Sequence, residues 1–104
     1  MRFIPLERLI NLQDGYRRRF ELDGQSILLA QEEGEVFAFA RHCPHQHYTL
    51  DYARIENGAL YCSAHGFEFN LRRSGDLIKP QGFPCNNLKV YGLHYEGDKV
   101  GILL

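Results

Sequence analysis

The sequence predicts an all-β fold, and three observations carry that reading. Turn pairs recur at roughly ten-residue intervals, at Asp14-Gly15, Asp23-Gly24, Glu33-Gly34, Asn57-Gly58, Ser74-Gly75 and Gly97-Asp98, the spacing of short strands in a sandwich or barrel. Val36-Phe37-Ala38-Phe39-Ala40 is apolar on both faces and reads as a buried strand. At the C-terminus Val100, Ile102 and Leu104 alternate with Gly101 and Leu103, while Tyr91, Leu93 and Tyr95 share one face of the preceding strand. Glu96-Gly97-Asp98 turns these two into a hairpin.

In chain order, Pro5 to Leu12 is the one segment that reads as helical, with Leu6, Leu9 and Ile10 at helical spacing; a turn or two at the edge is expected. Arg17-Arg18-Arg19 is expected on a solvated strand face, as is the basic pair Arg72-Arg73, with a docking patch for an acidic partner as the second reading. Val36 to Arg41 leads into His42-Cys43-Pro44-His45, and Ala59-Leu60-Tyr61 leads into Cys62, so both groups of chemically active residues follow strands. Pro80 to Pro84 reads as a loop. Repeats, linkers and low-complexity tracts are absent from the sequence.

At 104 residues the chain is read as one domain, 1–104, with a core thin enough that a bound inorganic group would contribute much of the stability. A net charge of −1, from 12 basic and 13 acidic residues, offers no electrostatic basis for nucleic-acid binding. Met1 to Arg8 breaks its apolar run too early for a signal peptide. No stretch approaches the roughly 18 apolar residues of a membrane span. A soluble, cytoplasmic monomer is expected.

The chemistry concentrates in Cys43-Pro44-His45 and Cys62-Ser63-Ala64-His65, with residues 46–61 between them. Two thiols and two imidazoles on two tight loops are a soft-to-borderline S₂N₂ set, suited to tetrahedral zinc or to iron–sulfur chemistry rather than to calcium or magnesium. The third cysteine, Cys85, makes the count odd, which argues against a disulfide framework and for metal binding in a reducing compartment. Cys85 itself is expected to be a small buried thiol.

The stretches Cys43-Pro44-His45-Gln46-His47-Tyr48-Thr49-Leu50 and Cys62-Ser63-Ala64-His65-Gly66-Phe67-Glu68-Phe69 resemble the two motifs of Rieske [2Fe–2S] proteins. The likeness runs through Gly75 and Pro84 to the C-terminal hairpin, and in length the chain is similar to the stand-alone ferredoxins of bacterial aromatic-ring-hydroxylating oxygenase systems. The resemblance implies an antiparallel β-sandwich or barrel-like base carrying a two-loop cluster-binding subdomain. Its loops would span about 41–50 and 61–70, with a covering proline loop at about 80–85. It also implies one [2Fe–2S] cluster, with Cys43 and Cys62 as thiolates on one iron and His45 and His65 on the other. Two neutral imidazoles in place of thiolates remove negative charge, so such a cluster accepts an electron more readily. The ring nitrogens not bound to iron can titrate, coupling reduction to proton uptake.

Departures from the family pattern carry information of their own. The positions of the two additional cysteines of respiratory members are Tyr48 and Ala64 here, so that cross-link cannot form. Where those proteins place a Ser and a Tyr that donate hydrogen bonds to sulfur, this chain has Phe67 and Phe69. Fewer donors imply a potential toward the lower end of the roughly −150 to +300 mV Rieske range. His42 and His47 flank the first motif and compete on paper with His45, whose spacing matches the family; His47 is expected at the surface or in an outer shell. Asp51-Tyr52-Ala53-Arg54 stands where the ferredoxins usually turn through a Gly.

The function implied is electron carriage, not catalysis. A flavin-dependent reductase would supply single electrons and a terminal oxygenase would receive them, both through transient protein–protein contacts. Docking is expected at His45, Gln46, His47, His65 and the Pro80–Pro84 loop, with Arg17 on a strand away from them. A small Rieske subunit of an assimilatory nitrite reductase is the alternative within the fold, although many such subunits lack the ligands. A zinc-stapled interaction module without redox role is the alternative outside it.

Overall fold

The computed structural model of the protein describes residues 1–44, 48–62 and 66–104. Among these, the chain forms β1 (Phe3–Arg8), β2 (Arg17–Leu22), β3 (Gln25–Glu32), β4 (Glu35–Ala40), β5 (Arg54–Glu56), β6 (Ala59–Cys62), β7 (Phe67–Asn70), β8 (Asp76–Lys79), β9 (Val90–Tyr91), β10 (Leu93–Glu96) and β11 (Lys99–Leu103). They make three antiparallel sheets of order β1-β11-β10, β2-β3-β4-β9 and β5-β6-β7-β8. The all-β expectation holds.

The β2-β3-β4-β9 sheet is the middle layer, because β3 and β4 are apolar on both faces. In β3 the run Ile27-Leu28-Leu29-Ala30 is buried throughout, and the period-2 pleat divides it. Ile27 and Leu29, with Ala38 of β4, pack on Leu6, Val100 and Ile102 of the β1-β11-β10 sheet. Leu28 and Ala30, with Phe37 and Phe39, pack on Ile55, Leu60, Phe67 and Phe69 of the β5–β8 sheet. Each fully buried Leu or Phe contributes about 1.5–3 kcal/mol relative to exposure.

Turn chemistry sets the register. Asp23, Glu33 and Asn57 have φ of 49°, 53° and 53°, and the glycines that follow them, at 24, 34 and 58, have φ of 77°, 76° and 77°. Two consecutive positive φ values define the two-residue type I′ hairpin loop, whose twist matches that of the strands it joins. The β2–β3, β3–β4 and β5–β6 hairpins follow, with Leu22↔Gln25, Glu32↔Glu35 and Glu56↔Ala59 as closing pairs.

The helical reading of Pro5–Leu12 is corrected. Residues 3–8 are strand β1, paired to β11 with a register shift between Pro5 and Glu7, and only Leu9–Asn11 forms a single 3-10 turn. Of the three residues at helical spacing, Leu6 is buried, whereas Leu9 is 39% and Ile10 is 80% exposed, so they do not share a buried face. Pro5 is tolerated because β1 is an edge strand, where a missing N–H has no partner to lose. Arg17, Arg18 and Arg19 lie on β2 as expected, but Arg17 is not solvated. Arg72 is tied by its Nη2 to Glu35 Oε1 at 2.7 Å, joining the turn after β7 to the start of β4.

Candidate metal centre

Beyond β4 the chain turns out and back on itself in a narrow ladder. Leu50 N–H donates to Arg41 O at 2.7 Å, His42 bridges Thr49, and Cys43 N–H donates to Tyr48 O at 2.8 Å. Cys43, within this ladder, is fully buried. The second motif is built differently. Cys62 is the last residue of β6, paired across the hairpin with Phe67 of β7, and Gly66 N–H donates to Cys62 O at 3.1 Å. The expected loop over 61–70 is therefore tighter than anticipated, since 61–62 and 67–70 are strand.

Cys43 and Cys62 share one core, at 0% and 2% exposure, with Leu50, Leu60, Phe67, Phe69 and Leu88 around them. Neither is in a disulfide, and no buried polar or charged residue is found among the described residues. Two thiols held in one apolar wall suit soft sulfur ligation of iron or zinc and not a hard, oxygen-ligated cation. The donor set fits the group that the sequence implies. His45 and His65, the expected imidazole ligands, lie outside the described residues, as do Gln46, His47 and Ala64. Tyr48 is half exposed and contributes its carbonyl to the ladder.

The proline loop lies against both motifs. The Phe83 ring meets Phe67 edge-on, with centroids 5.1 Å apart and planes at 85°, a favourable aromatic geometry. A cleft of about 490 Å³ runs between Pro44 and Phe83–Asn86. Cys85 lies on this loop and is corrected from buried to half-buried; its Sγ donates to Asn86 O at 3.3 Å, and burial pushes the thiol pKa up. The loop is anchored behind by Gly75, whose carbonyl accepts from Leu88 N–H at 3.0 Å. Glycine is required there twice over: φ is +69°, and a Cβ would come within 1.8 Å of Leu88 O.

The departure at Asp51–Arg54 also has a physical explanation. Asp51 takes a two-pronged ion pair from Arg41, Nε–Oδ1 2.8 Å and Nη2–Oδ2 2.9 Å, closing the foot of the first loop. The Arg41 hydrogen bonds hold the Asp51 carboxyl below its ordinary pKa, and Asp51 in turn raises that of Arg41. Arg17 reaches across from β2, and its Nη1 donates to the carbonyls of Leu50, Asp51 and Ala53 at 3.1, 3.2 and 3.1 Å. Burial lowers the Arg17 pKa, opposed by Glu32 and Asp51. The expectation that Arg17 lies away from the loops is overturned: it grips the chain where the first loop rejoins the body. Nothing in the run of three arginines distinguishes it from Arg18 and Arg19 in sequence.

The model of the Rieske [2Fe–2S] domain matches residues 3–92 of the chain. The biphenyl dioxygenase ferredoxin subunit of Pseudomonas sp. (strain KKS102) is 32% identical over 79 residues, covering 75% of this chain and 70% of that protein. Among solved structures, the ferredoxin in a complex of reduced oxygenase and oxidised ferredoxin of carbazole 1,9a-dioxygenase superposes with a TM-score of 0.75. It is 19% identical over 93% of this chain and 97% of its own. A protein assigned as the small subunit of an NADPH nitrite reductase gives 0.78 at 17% identity, over the whole of both chains. At those identities the two structures establish the fold alone. The family match over residues 3–92, with the ferredoxin-subunit relative and the paired buried cysteines, places this chain in the Rieske [2Fe–2S] domain family.

Proposed function

We propose that the chain is the ferredoxin component of an aromatic-ring-hydroxylating oxygenase system, an electron carrier that binds no substrate of its own. The observation that carries this reading is the burial of Cys43 and Cys62 as thiols in one apolar core, in a chain spanning most of a dioxygenase ferredoxin subunit. Cys43 and Cys62 would hold one iron of a [2Fe–2S] group, and His45 and His65 the other. Such a group supplies reversible one-electron redox chemistry when bound. The chain's own part is to keep water from the thiolates with Leu50, Leu60, Phe67 and Leu88, and to supply an imidazole two or three residues after each cysteine in sequence.

The partners follow from the relatives. A ferredoxin of this fold is solved in complex with its oxygenase, so a terminal oxygenase is the proposed electron acceptor and a flavin-dependent reductase the proposed donor. The chain acts as a monomer in the cytoplasm. Among the described residues no helix is long and apolar enough to cross a membrane. Docking centres on the tips of the two loops and the proline loop. The small subunit of a nitrite reductase is less supported, because that likeness is one of fold.

Iron and acid-labile sulfide, assayed on purified protein, test the assignment. The unaltered chain should hold two of each and be reddish-brown, whereas zinc would leave it colourless. Cys43→Ser and Cys62→Ser should abolish assembly, with His45→Ala and His65→Ala nearly as severe. A site emptied by His47→Ala and intact in His45→Ala would reverse the histidine assignment. In a reconstituted chain of reductase, this protein and oxygenase, Gln46→Glu should slow electron delivery while the visible spectrum stays unchanged. Equal turnover would move docking to another face.

A further inference from the structure

We propose that Arg17 is a positioning residue for the cluster, clamping the exit of the first ligand loop from outside it. A single guanidinium nitrogen, Nη1, gathers three backbone carbonyls within one turn, those of Leu50, Asp51 and Ala53, all at 3.1–3.2 Å. These oxygens belong to the segment immediately after the loop that begins at Cys43. Leu50 is also the residue whose N–H closes the ladder on Arg41, and Asp51 is the one whose side chain takes the Arg41 ion pair. The same short stretch is thus held on its N–H side and its side-chain side by Arg41, and on its carbonyl side by Arg17.

The physical need is clear from burial. Leu50 O has a second donor in Ala53 N–H at 3.1 Å, but Ala53 is 7% exposed and the side chain of Arg17 16% exposed, so the Ala53 carbonyl would be poorly placed to replace the lost donor with water. Converging carbonyl dipoles also repel one another unless a cation lies between them. A loop whose exit relaxes cannot hold its cysteine at a set distance from the second motif. Arg17 acts through the backbone of residues 50–53, and its second contact is Glu32, 3.7 Å from Nη2.

The inference rests on the cluster being held by the Cys43 loop, and the iron and sulfide content of the unaltered chain tests that reading separately. For the clamp, holoprotein is challenged with a strong iron chelator and the decay of its visible absorption is timed. Arg17→Met should lose the cluster about tenfold faster than the unaltered chain, the lower end of what removing an outer partner of a metal ligand costs. Its reduced-state EPR line shape should change as well. Arg17→Lys, whose ammonium offers three donors to the same three carbonyls, should restore the line shape and most of the lifetime. Glu32→Gln, which removes only the charge of the Arg17–Glu32 ion pair, should match the unaltered chain. Arg17→Met with an unchanged lifetime and line shape would overturn the clamp, as would Glu32→Gln mimicking it. If Arg17→Met does not fold, the polar but shorter Arg17→Gln is read to the same threshold. Failure of both to fold while Arg17→Lys folds would also overturn it, since Arg17 would then be supporting the whole fold rather than the loop.

Discussion

Phe67 and Phe69 are the side chains whose chemistry near the two cysteines can be tested one at a time. Phe67 stands across the hairpin from Cys62, and Phe69 is wholly buried in the same core as both cysteines. Neither ring can donate a hydrogen bond toward sulfur. Phe67→Ser and Phe69→Tyr each bring a hydroxyl into this apolar wall, where it must find an acceptor. A donor worth roughly 1–2 kcal/mol to the reduced state would raise a one-electron potential by several tens of millivolts. Protein-film voltammetry at fixed pH reads this, and unchanged or lower potentials in both variants, with the cluster retained, would refute the hydrogen-bond account of a low-potential centre. The motif spacing made Cys43 and Cys62 legible, and the same alignment identified both phenylalanines. Arg17 escaped because its role depends on where three carbonyls converge, and carbonyls leave no mark in a sequence.

Among the elements, β1 is one whose character the sequence misrepresented, and a single carboxylate at its end links its anchoring to pH. Glu7 accepts from Asn11 Nδ2 at 2.9 Å, from Tyr16 O–H at 2.7 Å and from Arg8 N–H at 2.8 Å, with Arg18 at 3.6 Å. These bonds, that from Asn11 first, hold its carboxyl at about 2 against an ordinary 4.5, while burial and the Glu7 carboxylate raise Tyr16 to about 12. The folded state thus binds the Glu7 proton more weakly than the unfolded chain does. Its stabilisation is complete above about pH 4.5 and is lost as the pH falls toward about 2. The melting temperature of Glu7→Gln should therefore lie below that of the unaltered chain at pH 6, and the gap should narrow steadily toward pH 3. A gap that stays constant across this range would show that the carboxylate charge is not what ties β1 to the 3-10 turn and to Tyr16.

For the molecule as a whole, two cores on opposite faces of one sheet divide the labour. The core of Leu6, Ile27, Leu29, Ala38, Val100 and Ile102 contains neither Cys43 nor Cys62, whereas the core on the other face contains both. Removing the iron should therefore destabilise the molecule unevenly, since local opening follows local contacts. In hydrogen exchange, iron-free protein should lose protection in β6, β7 and the Arg41–Thr49 ladder well before β11 and the Ile27–Leu29 stretch of β3. Uniform loss across all three sheets would mean that the cluster holds up the entire fold rather than one of its layers.

What the sequence by itself determined is the local chemistry: turn pairs that close hairpins, strands whose two apolar faces demand burial on both sides, and two thiols at ligand spacing. Each of these depends on residues near one another in the chain, through the backbone conformation they permit and the period of the pleat. Pro5–Leu12 misled because spacing alone does not say whether a neighbouring strand is available, and β11, at the far end of the chain, was. Only the tertiary structure decided that Cys43 and Cys62 share one apolar wall, that Phe83 covers Phe67, and that Arg17 holds the exit of the first loop. Those contacts join segments far apart in sequence. Their energies come from burial and from hydrogen bonds to backbone atoms, which every residue carries and which acquire a partner only when the sheets are stacked.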